Sequence, residues 1–365
     1  MTNTNSVTYP AMPTLRRRHA LALLGAAGFA LRTAPARAAA VEKSVKLAPG
    51  LCELVVSTTT GLVHVASTGP RGADDAKILG LDPRTLEVRS TIELGANTAF
   101  GLGVNDSTGM LFGTGTRKGR VLAIDLRTGK VKTEIGEGEN NHPRQVVVDE
   151  ARNRAFVSNF GFREKPSAVW VVDTAANTLA SVITEGLEGG ISGLTHDPAG
   201  DRVFVAALQT NEVVEVSLAR RAGVRRFASG GDGPINLAFH AASGRLFCTN
   251  QKSGQLAVLD AASGQPVKVL ETGAGALAVT FSTDGALAYV TNRGAGTVSL
   301  VDTRALTVLA SLQTGTHPNT VAVDRRTGLA YVSNKARSAP RPAQGQPPAP
   351  APEDPNGDTV SLIRA

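Results

Sequence analysis

Four residues recur along this chain at nearly constant spacing, and no other feature of the sequence restricts the fold as much. The clearest copies are Tyr289-Val290-Thr291-Asn292, Phe247-Cys248-Thr249-Asn250, Tyr331-Val332-Ser333-Asn334 and Phe156-Val157-Ser158-Asn159. Weaker ones are Phe204-Val205-Ala206-Ala207, Leu111-Phe112-Gly113-Thr114 and His64-Val65-Ala66-Ser67. These seven copies begin 47, 45, 48, 43, 42 and 42 residues apart. In one unit, residues 277–281, 287–291, 297–301 and 308–312 are short runs rich in Val, Leu, Ala and Thr, separated by Asp284-Gly285, by 293–296 and by Asp302. Such runs between turn-forming residues read as strands, so each unit is a four-stranded antiparallel meander. One small sheet cannot bury both faces alone. A period above about 40 residues with four strands per period therefore predicts an all-β, seven-bladed β-propeller whose neighbouring blades cover one another.

The last repeat holds only three strands, at 321–323, 329–333 and 359–363, and its missing outer strand matches 44–47. The ring is thus expected to close by the N-terminal strand entering the last blade. The propeller takes up residues 41–365 as a single domain. A Pro-rich insertion at 338–357 interrupts blade 7 and reads as a mobile loop, because proline cannot donate to a sheet and this composition buries too little to order itself.

Residues 1–38 read as a cleaved export signal. Arg16, Arg17 and Arg18 are the basic part, 20–31 the short apolar part and Ala36-Arg37-Ala38 the cleavage site, with twin-arginine or Sec export both open. The expected location is the periplasm. No stretch of the mature chain is apolar enough to span a bilayer, and a monomer is expected. The formal charge of +7 comes from 38 basic and 31 acidic residues, but five of the arginines and none of the acids lie within 1–38, which leaves +2 on the mature protein. Any affinity for an anionic partner must come from local clustering of charge. Cys52 and Cys248 fall in blades 1 and 5, too far apart to bridge, and are expected as buried free thiols.

Ligands of propellers usually meet the face that gathers the loops between second and third strands with the crossings between blades. In six of the seven blades those loops carry cations. The candidate ligand-binding residues are Arg117, Lys118, Arg163, Lys165, Lys252 and Arg293 from the loops, with Phe160 and Phe162 interleaved in blade 3, and His142, Arg144, His317 and Asn319 from two His-Pro crossings. Exposed rings beside Arg and Lys suit base stacking along a charged strand, although both rings could instead fold inward as a lid. The histidines either face the channel mouth or only shape their crossings. Acids at Glu137, Glu139, Glu185, Glu188 and Asp232 in or beside the crossings weigh against a uniformly cationic face. No metal site is expected, since two histidines without Cys or a suitably spaced carboxylate fall short of a ligand set. Nucleophile elbows, zinc-protease helices and phosphate-cradling loops are absent, so neither catalysis nor a cofactor is expected.

The Tyr-Val-Thr-Asn landmark with Thr316-His317-Pro318-Asn319, together with 81–88 (LDPRTLEV), 123–131 (AIDLRTGKV) and 169–173 (VWVVD), resembles the YVTN-repeat propellers, and more closely their YncE-type members. The resemblance implies a periplasmic, non-enzymatic, seven-bladed protein with single-stranded DNA or another polyanion as candidate ligand. The chain departs from that pattern in the twin arginines of its export signal and in its long Pro-rich insertion. A second reading, from another class, is a cell-envelope scaffold for a protein partner. A third is a propeller hydrolase or metal-dependent enzyme, which would require acids and histidines converging at the channel mouth.

Overall fold

The computed structural model describes Met1, residues 39–338 and residues 352–365. The export signal and the middle of the Pro-rich insertion lie outside the described residues. Among the described residues, 28 strands form seven four-stranded antiparallel sheets, with a single 3-10 turn at Glu150–Arg152. No helix among them is long and apolar enough to cross a membrane. Innermost strands Leu51–Val56, Leu102–Asn105, Pro143–Asp149, Ile191–Asp197, Pro234–His240, Ala276–Phe281 and His317–Val323 follow one another around an axis, the first packing on the last.

Closure takes the form that the incomplete last repeat requires. Blade 7 is ordered Ala40–Lys46, Thr359–Arg364, Ala330–Lys335, His317–Val323, with Ser44 opposite Ser361 and Lys46 opposite Thr359. The closing strand begins at Ala40, four residues before the stretch expected from sequence. Its first half has no apolar alternation to reveal it, being mostly exposed, and is held by backbone pairing and by the Arg364–Glu42 ion pair at 2.6 Å.

The landmark residues explain themselves in the ring. The hydroxyl at the third position, one place later in the blade 2 copy, reaches out of its own blade to a carbonyl of the next innermost strand. Thr114 donates to Arg144 O at 2.7 Å, Thr249 to Leu277 O at 2.8 Å and Ser333 to Cys52 O at 2.5 Å, and Ser158 donates to Ser192 O. Blade 4 has Ala206 at this position, and Ser192 takes over with a bond to Ile235 O at 3.0 Å. Between blades 1 and 2 the link is backbone, Glu53 N to Phe100 O at 3.1 Å. In four blades the third-strand aspartate closes the following turn: Asp82, Asp125, Asp173 and Asp302 each accept two following amides at 2.7–3.1 Å.

Apolar clusters fill the spaces between sheets. Trp170 is fully buried between blades 2 and 3 with Met110, Phe112 and Val146. Near the axis the sheets approach so closely that a Cβ on Gly101 would stand 2.2 Å from Arg144 O, and one on Gly193 2.6 Å from Ile235 O. Those two positions admit no side chain. Both cysteines are free and buried.

Candidate functional site

At the expected face, the end of the axial channel opens into a cavity of about 560 Å³ to which every blade contributes. Blade 3 supplies its best-anchored cation. His142 N donates to the landmark Asn159 Oδ1 at 2.7 Å, Thr116 donates to Pro143 O at 2.6 Å, and Thr114 holds Arg144 O. With the backbone fixed on both sides, the half-buried Arg144 guanidinium lies 5.4 Å from the Phe160 ring centroid. Across the cavity, Arg293 donates to Asn319 Oδ1 at 2.9 Å, and the Lys335 ammonium lies 3.2 Å from Cys52 Sγ. Arg117 is exposed at the rim, 5.8 Å from the Phe100 centroid.

None of Arg117, Arg144, Arg293 and Lys335 has an ion-pair partner among the described residues. Burial lowers the pKa of both Arg144 and Arg293, for Arg293 against a smaller opposing contribution from Cys52, the direction expected of a cation that has lost water without a carboxylate partner. Against these four stands one carboxyl on the cavity wall, Glu53. Burial pushes its pKa up to about 8, against a smaller opposing contribution from the Leu102 backbone hydrogen bond. At neutral pH it is chiefly protonated and cancels little of the positive charge. The His142 pKa is lowered by burial and then by Arg144, so its ring is chiefly neutral there.

A second cavity of about 480 Å³ lies alongside, between blades 3 and 4. It is lined by Phe160, Phe162, Arg163 and Lys165 from the blade 3 loop and by Leu187, Glu188, Gly190 and Gln209 from blade 4. The loop is a tight hairpin in which Phe162 and Lys165 exchange backbone bonds at 3.0–3.1 Å, with Arg163 in the left-handed region at φ 55°. The two phenylalanines differ in direction. Phe160 turns toward blade 4, where a Cβ on Gly190 would stand 2.7 Å from its ring, whereas Phe162 is 47% exposed. His142 touches both, with centroid distances of 6.3 Å to Phe160 and 5.8 Å to Phe162.

Of the residues expected from sequence, Arg117, His142, Arg144, Arg293 and Asn319 line the axial cavity, and Phe160, Phe162, Arg163 and Lys165 line the neighbouring one. Lys118, bonded to Asn97 Oδ1 at 2.8 Å, and Lys252, exposed beside Gly233, line neither. His317 also lines neither. Its pKa is lowered by burial and then by nearby Arg293, and its Nδ1 is buried without a hydrogen-bond partner.

Cys52, Glu53, Gln251 and Lys335 line the axial cavity without having been among those expected. The repeat held a signal for them. Gln251, Arg293 and Lys335 each directly follow a landmark asparagine, and Glu53 is the one charged residue of its innermost strand. Among the described residues no three His, Cys, Asp or Glu side chains gather as metal ligands.

No protein-family model matches the chain. It is similar to "Uncharacterized protein YncE" of Escherichia coli strain K12, 30% identical over 229 residues covering 59% of this chain and 63% of that protein. The protein of the same name from Salmonella typhi is 30% identical over 228 residues, with the same shares of each chain covered. The chain thus spans somewhat less than two thirds of the length of these relatives. Seven repeat-built blades in a ring make the chain a seven-bladed β-propeller, similar in sequence to the YncE proteins over 59% of its length.

Proposed function

We propose that the protein is an exported, non-enzymatic binding module whose channel mouth takes an anionic ligand, in polymer form a single nucleic-acid strand. One observation carries the reading: Arg117, Arg144, Arg293 and Lys335 converge on one cavity, and among the described residues no carboxylate is paired to any of them. A cluster of unpaired, partly desolvated cations in a concave low-dielectric wall focuses positive potential and favours an anion's arrival and residence. The rings at Phe160 and Phe162 beside it suit stacking of bases. Export to the periplasm rests on the pattern of residues 1–38.

Fluorescence anisotropy of a labelled single strand at two salt concentrations tests this reading. We expect binding at low salt that weakens as salt rises. Changing Arg117 and Arg293 to Gln should flatten the slope of log Kd against log salt by roughly 0.7 for each strand phosphate that the variant no longer neutralises. Salt-independent binding, or none at low salt, would remove the strand as ligand, and a protein-binding scaffold would take its place if inorganic phosphate did not bind either.

A further inference from the structure

The two cavities are neighbours, and the side chains that meet between them are suited to both ends of one ligand. His142 lines the axial cavity and contacts both phenylalanine rings, while Arg144 covers Phe160, whose ring lines the neighbouring cavity. We infer that the site takes a small molecule in two parts, an oxyanionic head among the axial cations and a planar ring set outboard against Phe162.

This rests on the anion-binding reading and narrows it. A cavity of about 560 Å³ is of the size that encloses a compact ligand, not a polymer running through it. The planar part is called for by Phe162, which is 47% exposed in a groove also lined by Gly189, Gly190 and Gln209 of blade 4, with the Arg163 guanidinium 5.2 Å from its ring centroid. Offset or edge contact of a ligand ring with such a face adds attraction beyond area burial. Glu188 does not neutralise this groove's own cations, because its carboxylate lies 3.4 Å from Arg226.

Isothermal titration of the folded protein in a low-salt, phosphate-free buffer separates the parts. Inorganic phosphate probes the head and 1-naphthyl phosphate probes head plus ring. We expect naphthyl phosphate to bind about tenfold more tightly than phosphate, within the range of a single stacking contact. Phe162→Ala should erase that difference and leave phosphate affinity unchanged, and Arg144→Gln should weaken both probes. If Arg144→Gln does not fold, rim-exposed Arg117→Gln serves, with thermal unfolding as the control. Equal affinity for the two phosphates, or a Phe162→Ala variant that still prefers the ring, overturns the inference. If a labelled strand binds while the naphthyl group adds nothing, only this inference fails, whereas silence from strand and both phosphates removes the anion reading as well.

Discussion

Thr114 shows how much one hydroxyl does in this ring. It accepts from Gly101 N at 2.7 Å and donates to Arg144 O at 2.7 Å, so a single buried oxygen joins blades 2 and 3 and fixes the backbone beneath the cavity's best-held cation. Thr114→Val keeps the shape and leaves a buried amide and carbonyl unpaired. We expect a destabilisation of about 1–3 kcal/mol in urea unfolding, together with weaker anion binding. At Glu53 the expected effect depends on pH. The folded carboxyl titrates at about 8 against an ordinary value of 4.5. The native state therefore binds more protons than the unfolded one between those values, and stability falls as pH rises through that window. We expect the thermal midpoint of wild type to drop between about pH 5 and 8.5 and Glu53→Gln to flatten that drop. Anion affinity should fall in wild type as pH passes about 8 and a negative charge appears on the cavity wall, and Glu53→Gln should abolish that dependence. An unchanged profile in the variant would mean the carboxyl is already ionised at neutral pH.

At the scale of the element, the closing strand is the least self-sufficient piece. Among the described residues Ala40–Lys46 pairs only with Thr359–Arg364, and its burial is slight, so it contributes mainly by covering an edge. At its end Lys46 Nζ donates to Asp354 O at 2.6 Å, and just beyond it Asp358 Oδ1 accepts from Gly50 N at 3.0 Å and from Ala336 N at 3.3 Å. Both flanks of the Pro-rich insertion are thereby tied to the start of blade 1. Removing residues 1–46 would bare the edge of Thr359–Arg364, and unpaired edges recruit other chains. We expect a lower melting temperature and dimers or larger species in light scattering. A monomer with unchanged melting would show that the strand is dispensable for closure.

For the molecule as a whole, architecture was legible in the sequence because it is periodic. Turn residues, short β-rich runs and the landmark recur every 42 to 48 residues, and only a closed ring satisfies all of these sheets at once. The incomplete last repeat even named its missing partner, although the first half of that strand carried too little apolar pattern to be seen. Which loops and crossings gather at one end of the channel was legible too, since loop positions follow from strand order. What sequence could not settle was which of that face's cations meet. Lys118 and Arg117 are neighbours in the chain, yet one bonds to Asn97 at the surface and the other lines the cavity. Phe160 and Phe162 lie two residues apart, and only the space left by Gly190 in the next blade turns the first inward. Glu53 reads locally as an isolated carboxylate in an apolar strand, and its raised pKa exists only because ring closure desolvates it. Repetition along the chain determined the ring and the direction each strand faces. Convergence of residues from seven blades, and the desolvation that follows, is a through-space property decided only once the blades had packed.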